Sequence, residues 1–362
     1  MTQYTICIPT YKRTGLLEIL LNDITQQSVI PHTIIIVDGY PSSKDVLPML
    51  ERYKANITIK SVVYIPSNHG NLSYQRYLGY RAAKIQHNNY LLYLDDDLRI
   101  FQRDAIEKLL SPMIITAEIV GSSSMIRNGE LDNKFADFPA LLDRSKVSSS
   151  LTFWTRWLGA SRDIQPGGLT PIGDRVPPKR TGEEVFSPVQ WLRGGVMLYR
   201  MDALNQECFS DDLFALYHIR CSKGEDTFLS RRVMNNGKLI YHFDVIIDHP
   251  NSDLPRTYPI TAYHLAYATA YSRRFLNDHY RVTEMPHFSD GLALVKSYLG
   301  NNLINLIRAL MHPRRHRFAY AWGYFIGSLR GILQKPTAKN LTPEIDWWKD
   351  AEEALHNIVV IK

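Results

Sequence analysis

The sequence predicts an α/β protein built on a doubly wound sheet, with a run of helices after it. Three observations predict this. Short apolar runs alternate with helical patterns four times in the first hundred residues, which is what successive βαβ units produce. The run Ile34-Ile35-Ile36-Val37 is continuous and β-branched, as in strands buried on both faces of a parallel sheet. And the runs end in polar residues: Pro9-Thr10, then Asp38, then Asp95-Asp96-Asp97. Ligands bind beyond the carboxyl ends of such strands, so these distant residues can converge in space.

Taken in order, residues 4–9 read as the first strand, closed by Pro9-Thr10-Tyr11-Lys12-Arg13. Thr14 is the expected N-cap of a helix whose Leu16, Leu17, Leu20, Leu21 and Ile24 recur at helical spacing. The second strand ends at Asp38-Gly39. A helix is expected over 46–53, a strand over 58–65, a turn at Asn68-His69-Gly70-Asn71 and a helix over 74–85. The strand Tyr90-Leu91-Leu92-Tyr93-Leu94 then runs into the three aspartates. A helix is expected over 106–113 and a strand over 114–122. Periodicity fades over 130–190, where turn-rich stretches such as Gln165-Pro166-Gly167-Gly168 stand; a long loop of this kind is usually functional or disordered. Trp154 and Trp157 could stack on a sugar ring or simply pack. Gly194-Gly195 opens a further strand and Glu225-Asp226 begins a helix. A strand over 238–247 leads to Asp248-His249-Pro250.

Composition narrows the class. The 362 residues are 45% hydrophobic and 22% charged, as in soluble proteins with a substantial core. The three cysteines, Cys7, Cys208 and Cys221, are odd in number and far apart, so no disulfide framework is expected and a reducing compartment fits. The N-terminus lacks a signal-peptide pattern, and no apolar run is long enough for a spanning helix. No P-loop, HExxH or GxSxG is present.

Three consecutive carboxylates at the tip of a buried strand repel one another and resist desolvation. A divalent cation with a bound phosphate would remove that conflict, since hard oxygen ligands suit magnesium or manganese. A solvated acidic turn capping the next helix is the alternative. For Glu225-Asp226 the alternative is a helix N-terminus that favours acids through its dipole. For Gly194-Gly195 it is a bulge, and for His249 a structural histidine at a strand end.

Together these segments resemble family 2 glycosyltransferases of the GT-A fold. The resemblance rests on ICIPTYKR, IIIVDG, NHG…QRYLG, LLYLDDD, RGGVMLYR, GEDTFLSRR and DHP, in that order over residues 4–250. It implies that Pro9, Thr10, Tyr11 and Arg13 line the nucleoside pocket, that Asp38 contacts the base and that Arg76 stands near the donor. It implies a DxD-type motif in which Asp95 and Asp96 face the nucleotide sugar and Asp97 binds Mn2+ or Mg2+ together with His249. Gly194 and Gly195 match backbone beside the sugars. Asp226 matches the catalytic base, with Glu225 beside it. Two departures stand: Gly39 where the family often has a second acid, and Gln75-Arg76-Tyr77 where Ala-Arg-Asn is usual.

The implied reaction is inverting transfer from a nucleotide-diphosphate donor, a UDP-sugar foremost, to a glycan acceptor, lipid-linked or of a bacterial cell-surface polysaccharide. A non-catalytic nucleotide-sugar or glycan-binding protein of the same fold, or a nucleotidyltransferase, are the alternatives; the latter normally opens with a glycine-rich, lysine-containing loop that is missing after the first strand. The expected division is a catalytic domain over 1–255 and a helical region over 256–362. In the helical region, 263–274 resembles the tyrosine–arginine helix of relatives acting on lipid-linked glycans. Residues 292–311 and 318–329 are apolar and flank the cluster His312-Pro313-Arg314-Arg315-His316-Arg317. Apolar helices with arginines and interfacial aromatics fit in-plane membrane contact; a helical cap on the core or on a second subunit is the alternative. The expected location is the cytoplasm, peripheral at the inner face of the membrane. A nucleic-acid partner is not expected, because the basic residues lie beside apolar stretches.

Overall fold

The computed structural model describes residues 3–54, 59–128, 165–169, 173, 175–221, 223–250, 261–283 and 288–361. Trp154 and Trp157 lie outside them. The elements run β1 (Tyr4–Thr10), α1 (Thr14–Thr25), β2 (Thr33–Asp38), α2 (Val46–Lys54), β3 (Ser61–Pro66), α3 (Leu72–Ile85), β4 (Tyr90–Leu94), α4 (Ala105–Ile115) and β5 (Ile119–Asn128). Then follow β6 (Phe186–Val189), β7 (Val196–Arg200), α5 (Asp211–His218), α6 (Glu225–Val233) and β8 (Lys238–His249). The chain ends with α7 (Ala262–Thr283), α8 (Phe288–Met311), α9 (Arg315–Leu333), α10 (Ala338–Leu341), α11 (Trp347–His356) and β9 (Val359–Ile361).

Among the described residues the strands form one mixed sheet in the order β6-β8-β5-β7-β4-β1-β2-β3-β9. β1 through β4 are parallel, with Thr10 beside Asp38 in register. β7 inserts antiparallel between β4 and β5, and β5 runs parallel to β8. So the sheet is Rossmann-like in its first half and mixed in its second, as in the GT-A arrangement. The antiparallel strand has a consequence for position. The start of β7 lies at the same edge as the ends of β1, β2, β4 and β8, and Gly194-Gly195 is brought to the aspartates.

Alternate side chains of the parallel strands enter opposite cores. Ile6, Ile8, Ile34 and Ile36 pack with Leu17 and Leu20 of α1, while Cys7, Ile35 and Val37 pack with Tyr74 and Leu78 of α3. Both faces are dry, which explains why these strands read as unbroken apolar runs; each such side chain contributes about 1.5–3 kcal/mol on burial. A Cβ at Gly79 would collide with Cys7 Sγ, so α3 can lie on β1 only with a glycine there.

Three boundaries differ from expectation. Thr14 is the first helical residue of α1, not its cap; Arg13 holds the cap position and its side chain is engaged elsewhere. α4 runs on to Ile115 with Pro112 inside it, and the strand expected over 114–122 is Ile119–Asn128. Ile114 and Ile115 are β-branched but exposed on the helix end, so their strand propensity finds no sheet to join. The tail crosses the expected domain boundary: α11 packs on α3, and β9 pairs antiparallel with β3. No Asn/Asp-Gly turn or long apolar run announces so short a strand.

Candidate active site

The aspartates at the end of β4 do not face one another unassisted. Thr10 Oγ1 donates to Asp96 Oδ2 at 2.7 Å. Arg13 Nη1 reaches Asp96 Oδ1 at 2.9 Å and Asp97 Oδ2 at 2.8 Å. Arg76, buried in α3, donates to Asp95 Oδ1 at 3.0 Å, to Glu225 Oε1 at 3.2 Å and to the Gly194 carbonyl at 2.7 Å. Two guanidiniums thus supply much of the compensation that the sequence assigns to a metal. Burial still pushes the Asp95 and Asp96 carboxyls up to about 6, against the pull of Arg76 and Arg13 respectively.

Asp97 differs. Burial raises its pKa, but His249 and Arg13 outweigh burial and hold it below the usual carboxylate range. Its Oδ1 is buried with no hydrogen-bond partner, although His249 Nε2 is 3.3 Å away. The two atoms are close enough to attract but are not aligned as a hydrogen bond. The same contact, against burial, raises the His249 pKa. His249 is placed by the end of β8, where Arg99 and Asp248 exchange backbone hydrogen bonds and Arg127 pairs with the Asp248 carboxylate.

An orphaned carboxylate oxygen beside an imidazole is a donor set that fits a divalent cation. Among the described residues no group of three or more His, Cys, Asp or Glu side chains could hold a metal. Asp97 and His249 would therefore be the protein's share, and an ion there would take its remaining positions from phosphate oxygens and water, as magnesium and manganese readily do.

Across Gly194-Gly195 stands Asp226, buried at the start of α6. Asp226 Oδ2 accepts from the Gly194 N–H at 3.1 Å and from Arg175 Nη1 at 2.5 Å, and Oδ1 accepts from the Thr227 N–H at 2.7 Å. A Cβ on Gly194 would stand 3.1 Å from Asp226 Oδ2, and one on Gly195 would stand 3.5 Å from Asp95 Oδ2. The glycine pair lies between the two acidic groups; a Cβ would be tight against Asp226 at Gly194 and against Ile126 at Gly195.

The other expected residues lie along the same edge. Asp38 accepts from the Tyr40 N–H at 2.9 Å and from Tyr64 Oη at 3.0 Å, and burial raises its pKa despite both bonds. Tyr11 and Tyr40 lie with ring centroids 5.6 Å apart, and the Lys12 ammonium sits 3.9 Å from the Tyr40 centroid. Pro9 lies buried inside β1, one residue before Thr10. A Cβ on Gly39 would stand 3.0 Å from Gly70 Cα, and one on Gly70 would stand 2.7 Å from Tyr11 Cε2.

Two participants escape a reading of the sequence. Gln75, seen only as a departure from pattern, donates to the carbonyls of Thr10 at 3.0 Å and Val37 at 2.7 Å, tying two strand ends together. Arg175 comes from the turn-rich stretch without periodicity, and nothing in its neighbourhood signals a partner 51 residues away.

Residues 5–162 match the family model Glycosyl transferase family 2.

The matched stretch holds Thr10, Asp38, Arg76 and the aspartates, and stops before Gly194, Asp226 and His249. Three solved structures share part of the outline. Mannosyltransferase PcManGT from Pyrobaculum calidifontis, in complex with GDP-Man and Mn2+, is 13% identical with a TM-score of 0.47, over 95% of this chain and 88% of that one. GalNAc-T7 with UDP, GalNAc and Mn2+ is 12% identical with a TM-score of 0.48, over 75% of this chain and 48% of that one. TarS of S. aureus is 13% identical with a TM-score of 0.42, over 92% of each chain. None of the curated proteins matches in sequence.

Proposed function

We propose that this protein is an inverting, metal-dependent glycosyltransferase of family 2. It would move a sugar, taken as a hexose, from a nucleotide-diphosphate donor, with a UDP-sugar as first candidate, to a glycan acceptor. The observation that carries the reading is the glycine pair set between acids: Gly194 against Asp226, and Gly195 against Asp95 of the aspartate run whose last member, Asp97, meets His249. A divalent ion bound by Asp97 and His249 would supply Lewis-acid stabilisation of the departing diphosphate.

The chain's own residues account for the rest. Arg13 and Thr10 orient Asp96, and Arg13 also braces Asp97. Tyr11, Lys12 and Tyr40 offer an aromatic and cationic wall beside Asp38 for a nucleoside. Asp226 takes the proton of the attacking hydroxyl. It is held by Arg175, Gly194 and Thr227, and Arg175, two-fifths exposed and carried on a loop, is the donor that can yield to an acceptor. A single base opposite the leaving group gives direct displacement, hence inversion. Glu225, tied to Arg76, positions the start of α6 and takes no proton in this scheme.

The acceptor is taken to be lipid-linked or a growing cell-surface polysaccharide, and the place of action the cytoplasmic face of the membrane. The three described cysteines are buried and free, in keeping with a reducing compartment. The reading is tested by incubating the protein with a panel of nucleotide sugars, Mn2+ or Mg2+ and glycan acceptors, and following nucleotide diphosphate release. Metal-dependent turnover that Asp97→Asn and Asp226→Asn both abolish is expected, with an inverted anomeric centre in the product by NMR. Metal-stabilised donor binding with no turnover on any acceptor would favour the binding-protein alternative.

A further inference from the structure

We infer that the outer face of α8 and α9 seats in the interface of a bilayer containing anionic lipid, with both helices lying in its plane. The inference starts from an exposed apolar face. In α8 the side chains turned outward are apolar: Leu299 is 63% exposed and Leu310 62%, with Leu292, Leu303 and Leu306 on the same face. Those turned inward are mixed: Leu294, Tyr298 and Ala309 are buried beside Ser297, 0% exposed, and Asn305, 5% exposed. α9 repeats the pattern. Phe318, Trp322, Phe325, Leu329 and Ile332 are exposed at helical spacing, while Gly323, Tyr324, Gly327 and Ser328 are buried. A helix packed for water alone carries polar and charged side chains on such an outer face.

The inward face is built for close, polar packing. Gly323 and Gly327 let α9 approach α7 so closely that a Cβ at either would collide with the backbone carbonyl of Tyr263 or Tyr267. Small residues four apart are the device by which helices pack when burying leucine against a neighbour brings no advantage over leaving it outside. Arg273, from the tyrosine–arginine helix, donates to Ser297 Oγ at 3.0 Å and to Tyr324 Oη, joining the three helices by hydrogen bonds. The outward apolar side chains stand on two helices that pack against each other, and a large exposed apolar patch marks an interaction site.

Charge selects the occupant. Residues 291–343 contain eight lysines and arginines and no aspartate or glutamate, so this stretch carries more than the whole chain's net charge of +6. Arg314 and Arg315 are exposed at the turn between α8 and α9, beside the apolar face. A second copy of this chain would set like charges against like, with no carboxylate in the stretch to pair them. Anionic headgroups complement them, each arginine strengthening binding about fivefold. Among the described residues no helix is long and apolar enough to cross a membrane, so the face lies on the bilayer rather than through it.

The test needs no sugar, so its outcome is separate from that of the transferase reading. The full chain is floated with phosphatidylcholine vesicles, with and without phosphatidylglycerol. Binding that requires phosphatidylglycerol is expected. The double variant Arg314→Ser/Arg315→Ser should weaken it about thirtyfold, and Leu299→Glu/Leu303→Glu should abolish it with an unchanged thermal melt, since both sites are exposed. Should the glutamate variant misfold, Trp322→Ser alone is expected to weaken binding. No vesicle binding by the wild type, or binding indifferent to these variants, overturns the inference. So does a lipid-free dimer that Leu303→Glu splits into monomers, because a second copy would then cover the face.

Discussion

His249 Nε2 stands 3.3 Å from Asp97 Oδ1, and that oxygen, though buried, has no hydrogen-bond donor. A buried acceptor left in this way costs about 1–3 kcal/mol, a cost that a cation between the two residues would remove. Mn2+ with UDP should therefore raise the thermal midpoint of the wild type, with about 2.7 kcal/mol gained at a hundred times the dissociation constant. His249→Ala and Asp97→Asn should lose that shift while melting normally without metal. An undiminished shift in either variant would place the ion elsewhere.

Asp226 is assigned a proton, not a ligand. Asp226→Asn keeps one of the two acceptors, the one for Thr227, sets an NH2 against the Gly194 N–H and Arg175, and cannot act as a base. Transfer should fall about 10²–10⁴-fold in kcat, with the donor KM and the metal-dependent thermal shift preserved. A fall in donor affinity with unchanged kcat would show that Asp226 holds substrate instead.

Arg76 ties the aspartates of β4 to the start of α6 through Asp95, Gly194 and Glu225. Its side chain is 3% exposed, so Arg76→Met leaves two half-buried carboxylates, Asp95 and Glu225, without their shared cation. The expected cost is about 3–5 kcal/mol of stability by urea melt, with donor-independent loss of activity. A stable variant with only a raised donor KM would make Arg76 a nucleotide contact, as the family resemblance suggests.

These residues also show what a sequence discloses. The parallel half of the sheet was legible because its strands are buried on both faces and must be apolar throughout, as Ile34 to Val37 are. The acids at strand ends were legible because a carboxylate in such a place has few uses. β6 and β9 were not, since four- and three-residue edge strands carry no period to detect. The carboxylate partners of Arg13 and Arg175 were harder still. An arginine takes its role from whichever carboxylate the fold brings within reach, and those lie 83 and 51 residues away.

Asp96 gives a prediction about acidity. Burial lifts its carboxyl from an ordinary 3.8 to about 6, even with Arg13 and Thr10 bound to it. A raised folded-state pKa means that the folded protein holds this proton more tightly than the unfolded chain does. The resulting stability is fully present below the ordinary value and is lost as pH rises through about 6. Asp95 and His249, both raised, act in the same direction; Asp97, held low, adds stability that is fully present above the ordinary carboxylate value and is lost only as the solution becomes more acidic. The metal-free protein should therefore melt at a lower temperature at about pH 7.5 than at about pH 5, and Asp96→Asn should flatten that slope without removing it. An equal slope in the variant would mean that Asp96 titrates no higher in the folded protein than in the unfolded chain, with Arg13 fully compensating its burial.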